Sequence, residues 1–494
     1  MNITVSIEIG KESFANYEEI ESACYNFGLA VGREFMKKIF ESIDLELLAA
    51  RDTSRYRSKG FQETSIKTKL GVVDYSRRVY EDRAVTEGIH CVHLLDQELG
   101  INPVGLVSPG VCELISSSIC ESTYRSTARQ ITELTGMTIS AQGVWNIVQK
   151  LGNSQNELIG RYSKLASANQ GLGEISTKIL YEENDGVWLK LQGKSREENG
   201  PSKEMKAGIA YDGTTIYTSP NGKTRRTLDN KVAYAGFESI EEFHSHKEGI
   251  IANRYNIDEI ELRVVNGDGA GWVQNYGAAE DTIVMLDPYH RNKKIRECVL
   301  DKEFQKTLTA LLIEKRYDDL IECIEAQINS VEDEKEKFLL QELLSYYKNN
   351  KEALPGYYDR GMEIPETRDP GNIHHARMGS MESNIFTLIG NRMKGKRRCW
   401  SISGANNLAH LLCAYHTIGF EDLFAEVPTA PVPVEKEVLT AEDLALINAP
   451  IPRKKDYRDG KGYELPGNVS TTNSHYLLRN ISQFSSLSEI NFKC

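Results

Sequence analysis

The sequence predicts an α+β multidomain protein, and three observations carry that expectation. Apolar residues recur at helical spacing along the N-terminal stretch, which then passes into a basic, alternating strand pair. After Gly171, short apolar runs interleave with helical stretches, the texture of an α/β domain with mixed strands. Residues 300–353 then form a proline-free block of helical pattern. At 494 residues the chain has room for about three domains.

From Tyr17 to Ala50, the residues Ile20, Cys24, Phe27, Val31, Phe35, Ile39, Ile43 and Leu47 recur every three or four positions, one stripe of a long amphipathic helix. In the stretch that follows, Thr64–Leu70 and Val72–Tyr80 alternate about Gly71, so a β-hairpin is expected. Residues 51–88 hold nine Lys and Arg against six Asp and Glu, so this hairpin is either a solvated face or a contact for DNA backbone. Ser108-Pro109 reads as a helix start, and Tyr124–Thr135 as a helix ended by Gly136. Ser140 would cap a second helix, AQGVWNIVQKLG. Helix, glycine turn and helix outline a helix-turn-helix whose second helix would offer Gln142, Asn146 and Gln149 to DNA; a plain helical hairpin has the same outline.

The strands expected next are Thr177–Glu182, Gly186–Gln192, Lys206–Tyr211, Glu259–Asn266 and Thr282–Asp287, with helices over Ile240–Asn256 and Ala270–Ala278. A loop with proline and glycine, Leu354–Gly371, follows the helical block, and Ser380–His416 returns to helical pattern. Beyond Glu426, runs such as PTAPVPVEKE have the composition of a poorly ordered tail.

Composition bounds the function. Apolar residues make up 40% and charged residues 26%, ordinary for a soluble globular chain, and no apolar run approaches the ~18 residues of a membrane span. The N-terminal residues MNITVSIEIGKESF lack the basic-then-apolar pattern of a signal peptide, so a cytoplasmic protein is expected. Nine scattered cysteines without a CxxC pair suggest neither a disulfide framework nor a zinc finger. A net charge of −12 disfavours nucleic acid unless basic residues cluster, as they do over Asn391–Arg398, where five stand without an acid.

Three acids stand out by context. Asp185 lies inside a strand-like run, ILYEENDGVWLKLQ, although Asp-Gly is also a hairpin turn. Asp268 follows an apolar strand and precedes a helix, the place where α/β sheets gather functional groups and equally the place of a helix cap. Glu382 stands in a first helical turn, where the helix dipole alone favours an acid. Phosphoryl transfer by two metals needs such carboxylates to converge on hard cations. Glu182, Glu183, Asp212 and Asp287 are neighbouring acids that compete for these roles.

The stretches YEENDGVWLKLQ, VVNGDGAGWV, MLDPYHRNKK and GSMESNIFTLIGNRMKGKRRCWS resemble the ISLre-type bacterial insertion-sequence transposases, relatives of the Mutator-like superfamily. That resemblance implies a DDE transposase with an RNase H-like catalytic core, whose catalytic and metal-binding acids fall on Asp185, Asp268 and Glu382. It also implies Asp287 and His290 as auxiliary active-site groups, from the Asp-x-x-His run at 287–290. Mg²⁺ would be the cofactor, two ions per site, with Mn²⁺ able to substitute. The partners would be DNA, as element terminal repeats and target, and further copies of the chain in a dimer or higher multimer. Lys394, Lys396, Arg397 and Arg398 would neutralise phosphates beside the site.

The expected organisation is an N-terminal helix and basic hairpin over residues 1–100, a helix-turn-helix-like DNA-binding region over 101–170 and the first part of the core over 171–299. A helical insertion and loop over 300–372, the C-terminal core helix with its Glu over 373–425 and a tail over 426–494 complete it. The expected function is cleavage of DNA at element ends and joining of the freed 3′-hydroxyl to target DNA. The competing readings are an RNase H-like nuclease or resolvase without strand transfer, and a catalytically silent DNA-binding regulator derived from a transposon.

Overall fold

The computed structural model describes residues 4–5, 16–85, 91–100, 107–274, 281–425 and 492–493. The chain divides into two compact units: Met1–Ser108 with Thr132–Met137 and Val427–Cys494, and Pro109–Ile131 with Thr138–Glu426. The tail expected to be poorly ordered lies outside the described residues, apart from Phe492–Lys493, which pairs with Thr4–Val5.

In the first unit, the apolar stripe forms one helix, α1 (Tyr17–Ala50), capped by the Asn16 side chain. The hairpin forms as expected: β1 (Tyr56–Thr68) and β2 (Gly71–Asp82) pair antiparallel. Gly71, at φ +106°, supplies the left-handed turn that other residues resist. Met36, Phe40, Ile43 and Leu47 of α1 pack on Ile66, Val73, Tyr75 and Leu95. Much of the hairpin's basic charge is already paired: Arg55 grips Asp82 through two bonds, Lys59 meets Glu81, Arg77 meets Asp96, and Arg78 meets the buried Asp44. Those pairs favour a solvated face over a phosphate-binding one.

The second unit starts with α2 (Pro109–Glu121), α3 (Tyr124–Thr135), whose last residues from Thr132 belong to the first unit, and α4 (Ala141–Ser167). The Ser140 hydroxyl accepts from the Gly143 amide, the expected cap, but α4 runs for 27 residues. Its buried face packs against α5 (Ile240–Arg254) and α11 (Ile402–Tyr415), and a side chain at Gly152 would strike the Asn407 backbone. The segment expected as a separate DNA-reading module therefore supplies a core helix of the α/β unit.

At the centre of this unit is a five-stranded sheet built from β3 (Ile179–Lys190), β4 (Ser202–Tyr211), β7 (Val232–Gly236), β8 (Leu262–Gly267) and β9 (Thr282–Leu286). Between β4 and β7 the chain inserts a hairpin, β5 (Thr214–Thr218) and β6 (Thr224–Leu228), which pairs with Ile373–His374 in a separate three-stranded sheet. The order is β9-β8-β3-β4-β7; β8 is parallel to β3 and β9, whereas β4 is antiparallel to both neighbours. β3 is thus central and runs unbroken through Asp185-Gly186, where a turn was one expectation. A Cβ at Gly186 would meet the Glu204 carboxylate, so a larger residue there would push that side chain aside.

Helices α6 (Pro288–Cys298), α7 (Lys302–Ile313), α8 (Tyr317–Ser330) and α9 (Glu334–Asn349) follow β9 and bury their own apolar cluster against Leu286, Ile295 and Cys298. The last three are the expected helical insertion. A helix, α10 (Met381–Ile385), continues through a π-helical turn, Phe386–Gly390, to Met393. Among the described residues no helix is long and apolar enough to cross a membrane, and every cysteine is a free thiol.

Candidate active site

Successive side chains of a strand point to opposite faces, and β3 uses this to sort its polar run. Glu182 and Asn184 face α5, where the buried Lys247 ammonium lies 2.7 Å from Glu182 and 2.8 Å from the Asn184 oxygen. Arg263 bridges Glu182 and Glu248. Burial works to raise the Glu182 carboxyl, but Lys247 and Arg263 outweigh it and hold the group below the ordinary range. This network is structural.

Glu183 and Asp185 face the other way. Glu183 is fully buried and accepts from the Tyr211 hydroxyl (2.6 Å), the Asn266 amide (3.2 Å) and the backbone N–H groups of Gly379 and Ser380 (both 2.8 Å). Burial raises its carboxyl above the ordinary range even though these four donors pull it down. Through Gly379 and Ser380 it ties the start of α10, and with it the segment bearing Glu382, to the central strand.

The parallel register then aligns the acids. Asn266 sits opposite Glu183, and Gly267 opposite Leu286. Past the last register pairs, Asp185 continues in β3, Asp268 stands just beyond the end of β8 and Asp287 just beyond the end of β9. The charges of Asp268 and Asp185 act on a common neighbour, Glu204, whose carboxyl is raised first by burial and then by those two. His290 lies 3.6 Å from Asp185. The neighbouring Asp185 carboxylate raises this imidazole against the effect of burial, and the charges of Asp287 and Asp268 add to it.

Asp268 and Asp287 differ in what remains open. One Asp268 oxygen accepts from the Ala270 amide at 2.9 Å. Asp287 is buried and uses both oxygens: one caps α6 through the Tyr289 and His290 amides, and the other accepts from Asn266 at 2.9 Å. Asp287 is therefore a helix cap that also fixes the start of the turn bearing His290, and Asp268 is the less engaged of the two carboxylates. The insertion buttresses both turns: the Tyr346 hydroxyl donates to the Asp268 carbonyl at 3.0 Å, and Tyr347 to the Arg291 carbonyl at 2.9 Å.

Glu382 is exposed in the first turn of α10. Among the described residues no three His, Cys, Asp or Glu side chains lie close enough together to hold a metal ion, so Glu382 does not close a trio with Asp185 and Asp268 in this conformation. The donor chemistry still suits a hard cation, since all three are carboxylates.

The remaining sequence candidates divide. Lys394, Lys396 and Arg397 are exposed just after the helix, whereas Arg398 donates to the Asn391 and Arg392 carbonyls. Gln142 and Asn146 bond to each other at the surface. Gln149 turns inward and accepts from Asn407 of α11 at 2.9 Å, which removes it from any DNA-facing set. Glu183 and Asn266 are the residues whose positioning role sequence reasoning missed; the signal was parity, since Glu183 must share a face with Asp185.

Residues 11–422 match the model of a family described as "Uncharacterised protein family (UPF0236)". A Streptococcus gallolyticus protein, "UPF0236 protein in vanSb 3'region", is 24% identical over 431 residues, covering 85% of this chain and 88% of that one. These matches overturn the assignment to the ISLre-type transposases and the Mutator-like superfamily. That assignment rested on short stretches of acids and glycines, which strand-end turns and helix caps carry in many folds. With the family model spanning residues 11–422 of 494, the chain belongs to the UPF0236 family.

Proposed function

We propose that the protein is a metal-dependent DNA phosphodiesterase of the transposase type, cleaving DNA ends and joining the freed 3′-hydroxyl to target DNA in the cytoplasm, as a dimer or higher multimer. The observation that carries this reading is the pair formed by Asp185 in β3 and Asp268 just past its parallel neighbour β8, whose charges both act on Glu204 and His290, with Glu183 tethering the helix of Glu382 to the same sheet. We read the sheet as an RNase H-like core, since a central first strand with an antiparallel meander on one side and two parallel strands on the other suits that fold.

Asp185 and Asp268 would hold Mg²⁺, or Mn²⁺ in its place, and Glu382 would complete the set by turning its exposed side chain inward. Bound divalent cations supply Lewis-acid chemistry, lowering the pKa of water and stabilising the leaving 3′ oxygen. His290 orients the Asp185 carboxylate, and Asp287 fixes His290 through the cap of α6. Lys394, Lys396 and Arg397 stand where they can neutralise backbone phosphates.

The test is incubation of the full chain with supercoiled plasmid and a labelled linear DNA in Mg²⁺. Nicked and strand-transfer products are expected from the wild type, and none from Asp185→Asn, Asp268→Asn or Glu382→Gln variants that keep their DNA affinity. Cleavage that survives Asp185→Asn and Asp268→Asn overturns the assignment. Nicking without joining identifies a nuclease or resolvase. One observation favours a catalytically silent DNA-binding regulator, the absence of a closed metal-binding trio among the described residues; DNA binding without any cleavage would select it.

A further inference from the structure

Beside α10 lies a cleft of about 240 Å³ whose walls include Thr214 and Arg226 from the β5–β6 hairpin and Arg377, Ser380, Ser383 and Asn384 from the segment entering and forming α10. The register explains the hairpin's contribution: Thr214 opposes Leu228 and Ile216 opposes Arg226, so Arg226 shares a face with Thr214 and both reach the cleft. No carboxylate lines it. Arg226 and Arg377 are exposed and form no ion pair among the described residues, unlike the arginines of the β1–β2 hairpin.

Two unpaired guanidinium groups with no acid between them form a site for an oxyanion that accepts planar, two-pronged hydrogen bonds, and phosphate is that oxyanion. In a chain of net charge −12, a polyanion can approach only where such charge is concentrated. Ser380 and Ser383 flank Glu382, so whatever anion fills the cleft lies next to the carboxylate assigned above to the reacting phosphate. We infer that the cleft binds backbone phosphates of the DNA strand flanking the cleaved bond, with the β5–β6 hairpin laid along that backbone. The inference rests on the DNA-cleaving reading for its choice of polyanion. It adds a substrate-binding surface made of Arg226 and Arg377, neither of which the sequence patterns singled out.

The experiment measures binding of the full chain to a fluorescein-labelled 30-base-pair duplex by anisotropy, without divalent metal, across a salt series. Removing two phosphate contacts with Arg226→Ala/Arg377→Ala should reduce the slope of log K against log salt by about 2, roughly 0.9 per contact. Arg226→Lys/Arg377→Lys, which keeps both charges, should retain most of the slope and shows that any loss is not misfolding. An unchanged slope in the alanine variant overturns the inference. A parallel Mg²⁺ cleavage assay separates the two readings. If the wild type cleaves and the slope is unchanged, the cleft assignment alone fails. If the slope falls but the wild type cuts nothing, the cleft stands and the catalytic reading fails. A wild type that does not bind the duplex refutes both.

Discussion

Replacing Glu183 by leucine should cost about 3 kcal/mol and loosen the segment that carries Glu382. Four donors converge on this carboxylate. Two of them, the Tyr211 hydroxyl and the Asn266 amide, are fully buried and cannot turn to water; each stranded group costs about 1–3 kcal/mol. The Gly379 and Ser380 amides lie nearer solvent and can rehydrate, at about 0.5–1 kcal/mol for each bond lost. Relief of a buried carboxylate, whose burial already raises its pKa, offsets part of the total. Glu183→Gln keeps one acceptor oxygen for the amides and should cost about 1 kcal/mol. Urea denaturation followed by circular dichroism gives the stabilities. Hydrogen exchange resolved by peptide should show faster exchange over residues 379–393 in Glu183→Leu than in the wild type. A leucine variant within 0.5 kcal/mol of the wild type, with unchanged exchange there, would refute the claim that Glu183 anchors the helix.

Two further outcomes follow from the buried charges. Lys247→Met leaves Glu182 buried with Arg263 as its remaining partner and should destabilise by about 3 kcal/mol, with Glu182→Gln/Lys247→Met recovering at least half in the same denaturation assay; full stability in the single variant would deny the network its role. Burial works to raise the Glu238 carboxyl, but His410, 3.5 Å away, and the Tyr234 hydroxyl hold it down to about 2. A folded pKa below the unfolded one stabilises above the unfolded value and is lost as pH falls, so about 2 kcal/mol should disappear between pH 5 and pH 3. The urea midpoint of Glu238→Gln should lack that component; parallel pH profiles for the two proteins would exclude it.

What the sequence made legible depended on how local its causes are. α1, the β1–β2 hairpin and α3 announce themselves because an apolar period and a glycine at positive φ (Gly71, Gly136) lie within a few residues of each other. The centre of β3 was harder to read. Three consecutive polar residues before an Asp-Gly pair look like a turn, and they become a central strand only because Lys247, Arg263, Tyr211 and Asn266, 28 to 83 positions away, satisfy them. The same distance effect hid the fate of Gln149, whose partner Asn407 is 258 positions on. The choice between Asp268 and Asp287 likewise needed the hydrogen bonds, since both end a parallel strand and only Asp287 proves to be fully engaged.

The tyrosine pair on α9 bears on the order in which the site can come into being. Tyr346 fixes the Asp268 turn and Tyr347 fixes α6, yet both stand on a helix made some 80 residues after β8 begins. During synthesis, the sheet's second and third acids emerge before the helix that steadies them, and Glu382 emerges later still. A nascent chain that ends before α9 therefore carries these carboxylates without that bracing. The Asp268 turn is braced only once α9 has left the ribosome, so a product truncated before α9 would hold Asp185, Asp268 and Asp287 without the hydrogen bonds of Tyr346 and Tyr347.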